Sequence, residues 1–486
     1  MTIGRQLAMP WGPACGAYSL PGSMMLKLRL GESPDHVPAR ADVLNRSAAP
    51  ATTLDGGVID RLIRQHANGA HITRVHAAAA SLGKPGEQHT GYNDQEIVCG
   101  LAGTFRLQMD HGSPIEQLSR LLNEVSTVEY ASPNYVSGLP FAGPAEAPLA
   151  IDIEQAWATR VLMFARQALA YEPGDSGVVV GLVDSGVAPH HPETHRRFRA
   201  GYDSVQLGDG DVATGVTLLG DVTKVDNKPV DEYVGHGMGC AGIMVGRGVA
   251  IPPGLAGECS LVPIRVLGAA KLPAKQNPVG LGSICDIDMG MKMAVELGAK
   301  LINMSFGTAD NTLDPMSPKP HADVVRYALM RGCVLVAASG NSGKEEVYWP
   351  AAHEGVIAVG SVGLEGKPST FSTRGEHVAL CASGEKVATC GLTGYQLATG
   401  TSFAAPFVTA VAALLVSRAQ RRSYAVTSGQ VRTILLETAQ PWASKDTKGY
   451  GRGILDAAAA LKALDREIDG SPQTGGEPGA PDVTQE

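Results

Sequence analysis

Most of the chain after its first third alternates short, continuous apolar runs with stretches whose apolar residues recur at helical spacing. The apolar runs cover residues 178–183, 261–267, 301–306, 333–338 and 356–362. Runs of this length without polar alternation are typical of parallel strands that are covered on both faces. Helical stretches such as 286–297 and 322–330 lie between them. The pattern predicts that residues 151–465 form one α/β body around a doubly wound, mostly parallel sheet.

The first third of the chain carries a smaller and different pattern. Strand-like segments at 25–30, 71–76, 104–109 and 127–130 are combined with two helical segments, the second of which begins with a capping box, Ser113-Pro114-Ile115-Glu116. The order β-α-β-β-α-β predicts a small ferredoxin-like α+β domain over residues 25–137. Around it we expect an irregular segment at 1–24, a Pro/Ala/Gly linker at 138–150 and, after the body, a disordered tail at 466–486.

Composition excludes several classes of protein. The 486 residues include 40 Lys and Arg against 48 Asp and Glu, and no basic block that could bind a phosphate backbone stands out. No apolar run approaches the roughly 20 residues that a membrane-spanning helix needs. Pro and Gly interrupt the apolar residues of 1–24, so no standard secretory leader is recognised. We therefore expect a monomer without a nucleic-acid partner or membrane span, cytoplasmic or secreted by a leaderless route.

Three polar residues stand where a strand ends or a helix begins. Asp184 follows an apolar strand, His236 starts a helix of small residues, and Ser402 lies at the start of an apolar helix. Each residue alone has an ordinary structural explanation, as a turn aspartate, a buried histidine or a helix-capping serine. Together they fit a catalytic triad, because serine needs a base to take its proton and that base needs a carboxylate to orient it. The chain order Asp, His, Ser is one of the known arrangements.

A fourth residue completes this constellation. Asn341 follows another buried strand in the segment Ala338-Ser339-Gly340-Asn341. Its side-chain amide could donate to the oxyanion that develops on a substrate carbonyl, alongside the backbone N–H of Ser402. The alternative is a turn residue that tolerates a left-handed backbone.

These segments resemble the motifs of the subtilisin-like serine peptidases. The residues that carry the resemblance are Gly400-Thr-Ser-Phe-Ala-Ala-Pro406 for the serine motif, 184–187 for the aspartate motif and 338–341 for the asparagine motif. The resemblance implies an active endopeptidase with a protein or peptide substrate, whose catalytic residues are Asp184, His236, Ser402 and Asn341. It also implies substrate-binding residues, namely Ser305, Phe306, Gly307, Ala338, Ser339 and Gly340. No carboxylate lies at the centre of those segments, so we expect an apolar or small side chain before the cut bond.

One motif departs from the family. His236 is followed by Met238 and Gly239 where the family usually has Thr and a second His. Neither missing side chain belongs to the triad, so activity is still expected. The departure is the only support for the alternative of an inactive or locked protein that binds peptides in its groove. A serine esterase of the α/β-hydrolase type ranks lower, because Ser402 lacks the Gly-x-Ser-x-Gly context and the chain order differs.

The small unit resembles a subtilase propeptide in its element order and in the segment Ala131-Ser-Pro-Asn-Tyr135. The implied role is that of an intramolecular chaperone and inhibitor, autoprocessed or held in the cleft; the alternative is a permanent N-terminal domain. No cofactor is required. Calcium is conceivable at His191-Pro192-Glu193 or at Asp209-Gly-Asp211, but no metal is assigned. The eight cysteines lack C-x-x-C spacing, so free buried thiols are expected, with Cys381 and Cys390 the pair to check for a disulfide.

Overall fold

The computed structural model describes residues 19–32, 34–79, 91–139, 151–208, 216–273, 275–315, 317–444 and 446–470. The N-terminal unit contains four strands and four helices. In chain order they are β1 (Ser19–Leu28), α1 (Arg40–Leu44), α2 (Val58–Ala67), β2 (His71–Arg74), α3 (Asp94–Val98), β3 (Thr104–Gln108), α4 (Ile115–Asn123) and β4 (Val128–Gly138).

The strands of this unit form an antiparallel sheet in the order β2-β3-β1-β4. One face carries the side chains of Met24, Leu26, Ile72, Phe105 and Leu107, which are buried in one cluster with residues of α2 and α4. The opposite face lies against the body. This sheet order, with both longer helices on one face, confirms the ferredoxin-like prediction.

The body contains the remaining elements. They are α5 (Ile153–Val161), α6 (Ala165–Tyr171), β5 (Val179–Asp184), β6 (Tyr202–Asp203), β7 (Thr217–Leu219), α7 (His236–Val245), β8 (Ser260–Arg265), β9 (Gly268–Lys271), β10 (Val279–Ser283), α8 (Ile284–Glu296), β11 (Leu301–Met304), β12 (Thr308–Ala309), α9 (Ala322–Met330), β13 (Val334–Ala338), β14 (Tyr348–Trp349), β15 (Val356–Val362), β16 (Val378–Ser383), β17 (Val387–Cys390), β18 (Tyr395–Ala398), α10 (Thr401–Arg421), α11 (Ser428–Glu437) and α12 (Ala457–Gly470).

A seven-stranded sheet in the order β16-β15-β13-β11-β5-β8-β6 forms the centre of the body. Its neighbouring strands are all parallel, which confirms the doubly wound α/β prediction. Alternate residues of β5 enter two separate cores: Val180 and Leu182 pack on the side of α7 and α10, and Val179 and Val183 on the side of α8 and α9. Both faces are therefore covered, as continuous apolar strands require.

Helix α10 runs through one of these cores. Among the described residues it is the one helix that is long and apolar enough to cross a membrane by length and composition, and most of it is buried inside the body. The seven described cysteines are free and buried, so Cys381 and Cys390 form no disulfide.

Three predicted boundaries are corrected. Strand β1 begins at Ser19, inside the segment predicted to be irregular, because it pairs with β4 as far as Tyr135. Strand β4 continues to Gly138, inside the predicted linker, because it also pairs with β10. Helix α12 continues to Gly470, beyond the predicted end of the body, because its carboxylates bind arginines of the α10 end. Residues 1–18, 140–150 and 471–486 lie outside the described residues.

The two units share a seam that contains buried ion pairs. Strand β4 adds to β10, so that the sheet of the N-terminal unit continues through β10, β9 and β7 of the body. Lys27 Nζ lies 2.9 Å from an Asp323 carboxylate oxygen, and Lys292 Nζ lies 2.8 Å from Glu96 Oε1. Both lysines are almost fully buried. Separating the units would therefore break these ion pairs as well as expose apolar surface.

Acid is expected to weaken this arrangement through His76, which is buried in the seam. Burial and the positive charge of Lys292 lower the pKa of His76 from 6.5 to about 3. The folded chain therefore binds fewer protons than the unfolded chain between these values. The contribution of His76 to stability is complete above pH 6.5 and is lost as the pH falls from 6.5 toward 3, by about 1.4 kcal/mol per pH unit.

The measurement is the free energy of unfolding in urea between pH 6.5 and 4.5 for the wild type, His76→Gln and the exposed control His190→Gln. We expect a smaller loss of stability with acid in His76→Gln than in the other two proteins. Burial also lowers the pKa of His353 to about 4. This residue therefore contributes equally, in all three proteins, to the loss of stability as the pH falls. Equal slopes in wild type and His76→Gln would contradict the assignment.

Candidate active site

Three predicted residues lie at the carboxyl edge of the parallel sheet. Asp184 is the last residue of β5, Ser305 directly follows β11, and Asn341 follows β13 after two intervening residues. These three strands are neighbours and run in the same direction. The carboxyl edge of such a sheet is where ligand chemistry is expected.

Two helices begin at the same edge and bring in the other two candidates. His236 is the first residue of α7, after Gly235 at φ +74°. Ser402 is the second residue of α10, after Gly400 at φ +149°. Only glycine adopts these backbone conformations readily, and they allow each chain to turn sharply into its helix at the site. The free N–H groups of the first turn of α10 and the helix dipole favour negative charge beside Ser402.

Asp184 and His236 form a direct hydrogen bond. His236 Nδ1 lies 2.8 Å from Asp184 Oδ1, and the same carboxylate oxygen accepts the backbone N–H of Ser185 at 2.7 Å. Asp184 is fully buried, and the imidazole is mostly buried beside the ring of Phe403 at 5.0 Å between centroids. The bond fixes the imidazole so that Nδ1 faces the acid. Its other nitrogen, Nε2, is buried without a hydrogen-bond partner and is available as a proton acceptor.

The hydroxyl of Ser402 points to the backbone of the neighbouring strand end. It donates to the carbonyl oxygen of Ser305 at 3.2 Å, and the Ser402 carbonyl accepts the hydroxyl of Ser305 at 2.8 Å. The thiol of Cys240 connects serine and acid, at 3.4 Å from the Ser402 carbonyl oxygen and 3.9 Å from Asp184 Oδ2. Burial and the charge of Asp184 raise the pKa of this thiol. Cys240 thus remains a neutral hydrogen-bond donor between Asp184 and Ser402.

Asn341 is oriented by Thr401. Its Oδ1 accepts the backbone N–H and the hydroxyl of Thr401, both at 2.9 Å. Because the amide oxygen is held by these two donors, the NH₂ group faces the other way, as a donor. The residue that precedes Ser402 therefore sets the direction of the predicted oxyanion donor.

The predicted substrate-binding residues act mainly through their backbone. The side chain of Phe306 is fully buried in the core, which fixes the position of the next residue, Gly307. The backbone N–H of Gly307 faces the cleft. Ala338 and Ser339 are buried, and Ser339 donates to the carbonyl of Thr373. Gly340 has φ +107°, and a Cβ there would lie 2.7 Å from the ring of Tyr348. Glycine is thus required where this wall of the cleft turns.

The departure in the histidine motif has a packing explanation. A Cβ at Gly239 would lie 2.9 Å from Gln396 Nε2 and 2.9 Å from the ring of Phe403. Gln396 Nε2 instead donates to the carbonyls of Cys390 at 2.7 Å and Gly235 at 3.3 Å. Met238 is fully buried and its sulfur accepts the N–H of Ala188 at 3.4 Å. The substitution changes the support of α7 and leaves the Asp184–His236 bond intact.

The cleft holds a segment of the same chain. Residues 136–138 pair antiparallel with β10, Gly307 N donates to Gly138 O at 3.2 Å, and Leu139 N donates to Gly280 O at 3.3 Å. The end of β4 is therefore the middle strand between β10 and the 305–307 segment. An extended peptide would make the same backbone bonds in this position.

The strand that pairs with this segment, β10, was not identified from the sequence. A Cβ at Gly280 would lie 3.1 Å from the side chain of Leu139, and one at Gly282 would lie 2.2 Å from the carbonyl of Val266. Glycine at alternate strand positions marks a close approach of another backbone or ligand. The alternating glycines of Gly280-Leu281-Gly282 were the sequence pattern that could have identified this strand.

The contacts of Glu193 do not suit calcium in the stretch His191-Pro192-Glu193, where no metal was assigned from the sequence. The Glu193 carboxylate accepts the backbone N–H groups of four successive residues, 248–251, at 2.7–3.2 Å. His191 is also engaged, because Nδ1 accepts the N–H of Glu193 and Nε2 contacts the carbonyl of Gly394. The loop thus presents donors to Glu193, whereas a calcium site would present oxygens. The Asp209-Gly-Asp211 stretch lies outside the described residues.

Another group of possible metal ligands lies within the site itself. Asp184, His236 and Cys240 offer three ligand atoms within 4.8 Å of one another. Asp184 Oδ1 and His236 Nδ1 are bonded to each other, and the Cys240 thiol is held protonated. These contacts suit proton handling rather than metal ligation.

Comparisons with known proteins agree with this geometry. The sequence model of the subtilase family matches residues 175–458. Thermitase from Thermoactinomyces vulgaris is 31% identical over 294 residues, which cover 59% of this chain and 89% of thermitase. Subtilisin Savinase from Lederbergia lenta is 30% identical over 295 residues, covering 59% of this chain and 91% of that relative. A protease structure from Pseudoalteromonas arctica matches with a TM-score of 0.53 at 25% identity, covering 65% of this chain and 99% of that one. The chain belongs to the subtilase family and is a subtilisin-like serine endopeptidase.

Proposed function

We propose that Asp184, His236 and Ser402 are the catalytic triad of this peptidase, that Asn341 contributes to the oxyanion hole, and that the N-terminal unit inhibits the enzyme by occupying its cleft. The observation that carries the triad is the 2.8 Å bond between Asp184 and His236 at the strand edge where the first turn of α10 holds Ser402. It leaves Nε2 as the proton acceptor that a serine nucleophile needs.

The reaction follows from these positions. The Ser402 hydroxyl leaves the Ser305 carbonyl, gives its proton to His236 Nε2 and forms a C–O bond with the substrate carbonyl carbon. Asp184 stabilises the resulting imidazolium through Nδ1–H. When the C–N bond breaks, the imidazolium returns the proton to the leaving amine, and an ester remains on Ser402. Water then gives a proton to Nε2 and forms a C–O bond with the ester carbon. The C–O bond to Ser402 Oγ breaks, the imidazolium returns the proton to Oγ, and the acid product is released.

The carbonyl oxygen carries negative charge in both transition states. The NH₂ group of Asn341, directed by Thr401, and the positive end of α10 support its stabilisation. These donors are held in place before substrate arrives, so they need no reorganisation during the reaction.

Inhibition is supported by the strand pairing in the cleft. Residues 136–139 take the backbone bonds of β10 and Gly307 that an extended substrate would need. The side chain of Leu139 is almost fully buried, in the same apolar cluster as Leu267. A substrate must displace this segment, so the rate on added peptides depends on how readily the segment leaves.

The test is covalent labelling with a fluorophosphonate, which reacts with a serine only when its base is in place. We expect one adduct, mapped to Ser402 by mass spectrometry, and at least about a 10³-fold slower reaction in His236→Ala. The exposed control His190→Gln should label like the wild type. A folded wild type that is not labelled, even after proteolytic removal of the N-terminal unit, would favour the alternative of a peptide-binding protein without catalysis.

A further inference from the structure

A group of hydrogen-bond donors surrounds a cavity of about 360 Å³ at the seam between the two units. None of its described lining residues belongs to the candidate active site. The N-terminal unit contributes Arg40, Arg106, Thr73 and His71, and the body contributes the segment 206–208. The described lining contains no carboxylate.

The nearest acid, Asp286, is already engaged. Arg40 NH1 forms an ion pair with Asp286 Oδ1, and Arg40 Nε donates to Gln206 Oε1 at 2.9 Å. The other oxygen of Asp286 accepts the N–H of Gln206 at 3.1 Å. The exposed fractions of the Arg40 and Asp286 side chains are 3% and 0%, so this pair is closed to solvent.

Arg106 is a second buried cation at the same place. Its side chain is 10% exposed, its NH2 donates to Gln108 Oε1 at 3.1 Å, and its NH1 lies 3.8 Å from Asp286 Oδ1. NH1 is buried and has no hydrogen-bond partner. Burial and the charge of Arg40 lower the pKa of Arg106 to about 10, so it stays charged at neutral pH. Two buried guanidinium groups therefore share one carboxylate, and one donor has no acceptor.

We propose that this cavity binds a tetrahedral oxyanion, the group carried by sulfate and phosphate, with the charge of Arg106 as its main attraction. A planar carboxylate binds best to the paired N–H fork of a guanidinium. That fork is not open in Arg106, because NH2 donates to Gln108 and NH1 is buried. The remaining donors come from β2, from β3 and from the exposed rim residue His111, so they approach from several directions. That arrangement suits an anion whose oxygens also point in several directions.

Binding here balances the positive charge that remains where Arg40 and Arg106 share Asp286. An anion that binds only while the two units are in contact shifts the equilibrium toward that contact by mass action. The anion is thus an element of the contact between the N-terminal unit and the body. This inference does not depend on peptidase chemistry, because its binding residues and its readout are separate from the triad.

The experiment is calorimetric titration of sulfate into the full chain carrying Ser402→Ala, which prevents self-digestion, at constant ionic strength set with sodium chloride. We expect saturable binding with a Kd at or below about 1 mM. Arg106→Gln should raise the Kd at least about 10-fold, and Arg120→Gln on the exposed face of α4 should leave it unchanged. If Arg106→Gln does not fold, His71→Gln on the exposed rim should raise the Kd about threefold.

Four results would overturn the proposal. They are the absence of saturable sulfate binding, an unchanged Kd in a folded Arg106→Gln variant, equal binding of acetate, and binding that requires the removal of nearby acids. The last is tested with Asp209→Asn combined with Asp211→Asn, since the sequence continues from Gly208 through these residues. Sulfate binding only in that double variant would mean that a carboxylate of the chain itself fills the cavity.

Discussion

Replacing Ser402 with alanine is expected to lower kcat on a peptide substrate by about 10⁶-fold, the size of loss known for the nucleophile of subtilisin itself. The reason is that Ser402 is the proposed nucleophile near the Asp184–His236 pair, whereas the hydroxyl of Thr401, the first residue of α10, is bonded to Asn341 Oδ1 at 2.9 Å. The residual rate would come from substrate binding and the oxyanion donors alone. The measurement is the steady-state hydrolysis of a chromogenic peptide, with circular dichroism to show that the variant folds.

A matched control lies in the same helix. Ser417 of α10 is also buried, and its hydroxyl donates to the carbonyl of Ala413 at 2.8 Å. Ser417→Ala should keep kcat within about threefold of the wild type, since it removes the bond to Ala413 and a contact with the thiol of Cys259, neither of which is a candidate site residue. If Ser402→Ala retained a tenth of the wild-type kcat, another nucleophile would have to be sought.

Introducing a charge at Leu139 is expected to activate the intact chain. Leu139 is buried against Gly280 and in the apolar cluster that includes Leu267. A carboxylate there would lose its hydration without gaining a partner, at a cost of at least about 1.4 kcal/mol, so Leu139→Asp should release the segment from the cleft. We expect the initial rate on a short peptide to rise at least about 10-fold.

The rate must be measured while electrophoresis still shows the uncleaved chain, so that processing does not hide the effect. Leu139→Met, which keeps the apolar character and nearly the volume, should stay close to the wild type. An intact Leu139→Asp chain that hydrolyses the peptide no faster than Leu139→Met would show that this segment does not limit access to the site.

The positions of the candidate site residues were predictable because each depends on a local signal. The apolar run before Asp184 predicts a strand end, and glycines before His236 and Ser402 predict sharp entries into helices. In a parallel sheet these ends meet at one edge, so local patterns are enough to place the three residues at that edge. The Asp184–His236 bond is the structural result of that rule.

The resemblance implied that the end of the N-terminal unit is held in the cleft, but the strand pairing that holds it there was not predictable in the same way. The pairing of 136–138 with β10 joins segments more than 140 residues apart in sequence, and its register follows from docking the two units. Period-two patterns do not identify the partner of a strand. The buried charges of the seam, such as Lys27 and Lys292, would likewise be assigned to the surface by composition alone.

One local prediction was wrong as well. The sequence predicted a capping box at Ser113, but α4 begins at Ile115 with Pro114 at the N-cap and no side-chain cap. Proline restricts the residue before it to extended or turn conformations, and Ser113 instead closes a turn with the carbonyl of Asp110. The turn at Ser113 competes with the predicted helix cap at the same residue, and the turn determines where α4 begins.

The continuity of the sheet across the seam has a consequence for the free body. When β4 departs, β10 becomes an unprotected edge strand with a row of unpaired N–H and C=O groups. Extended polypeptides pair readily with such an edge. A peptide substrate would do so during turnover, and two free molecules would associate through their exposed β10 strands. The N-terminal unit therefore covers the backbone groups of β10 that would otherwise be unpaired.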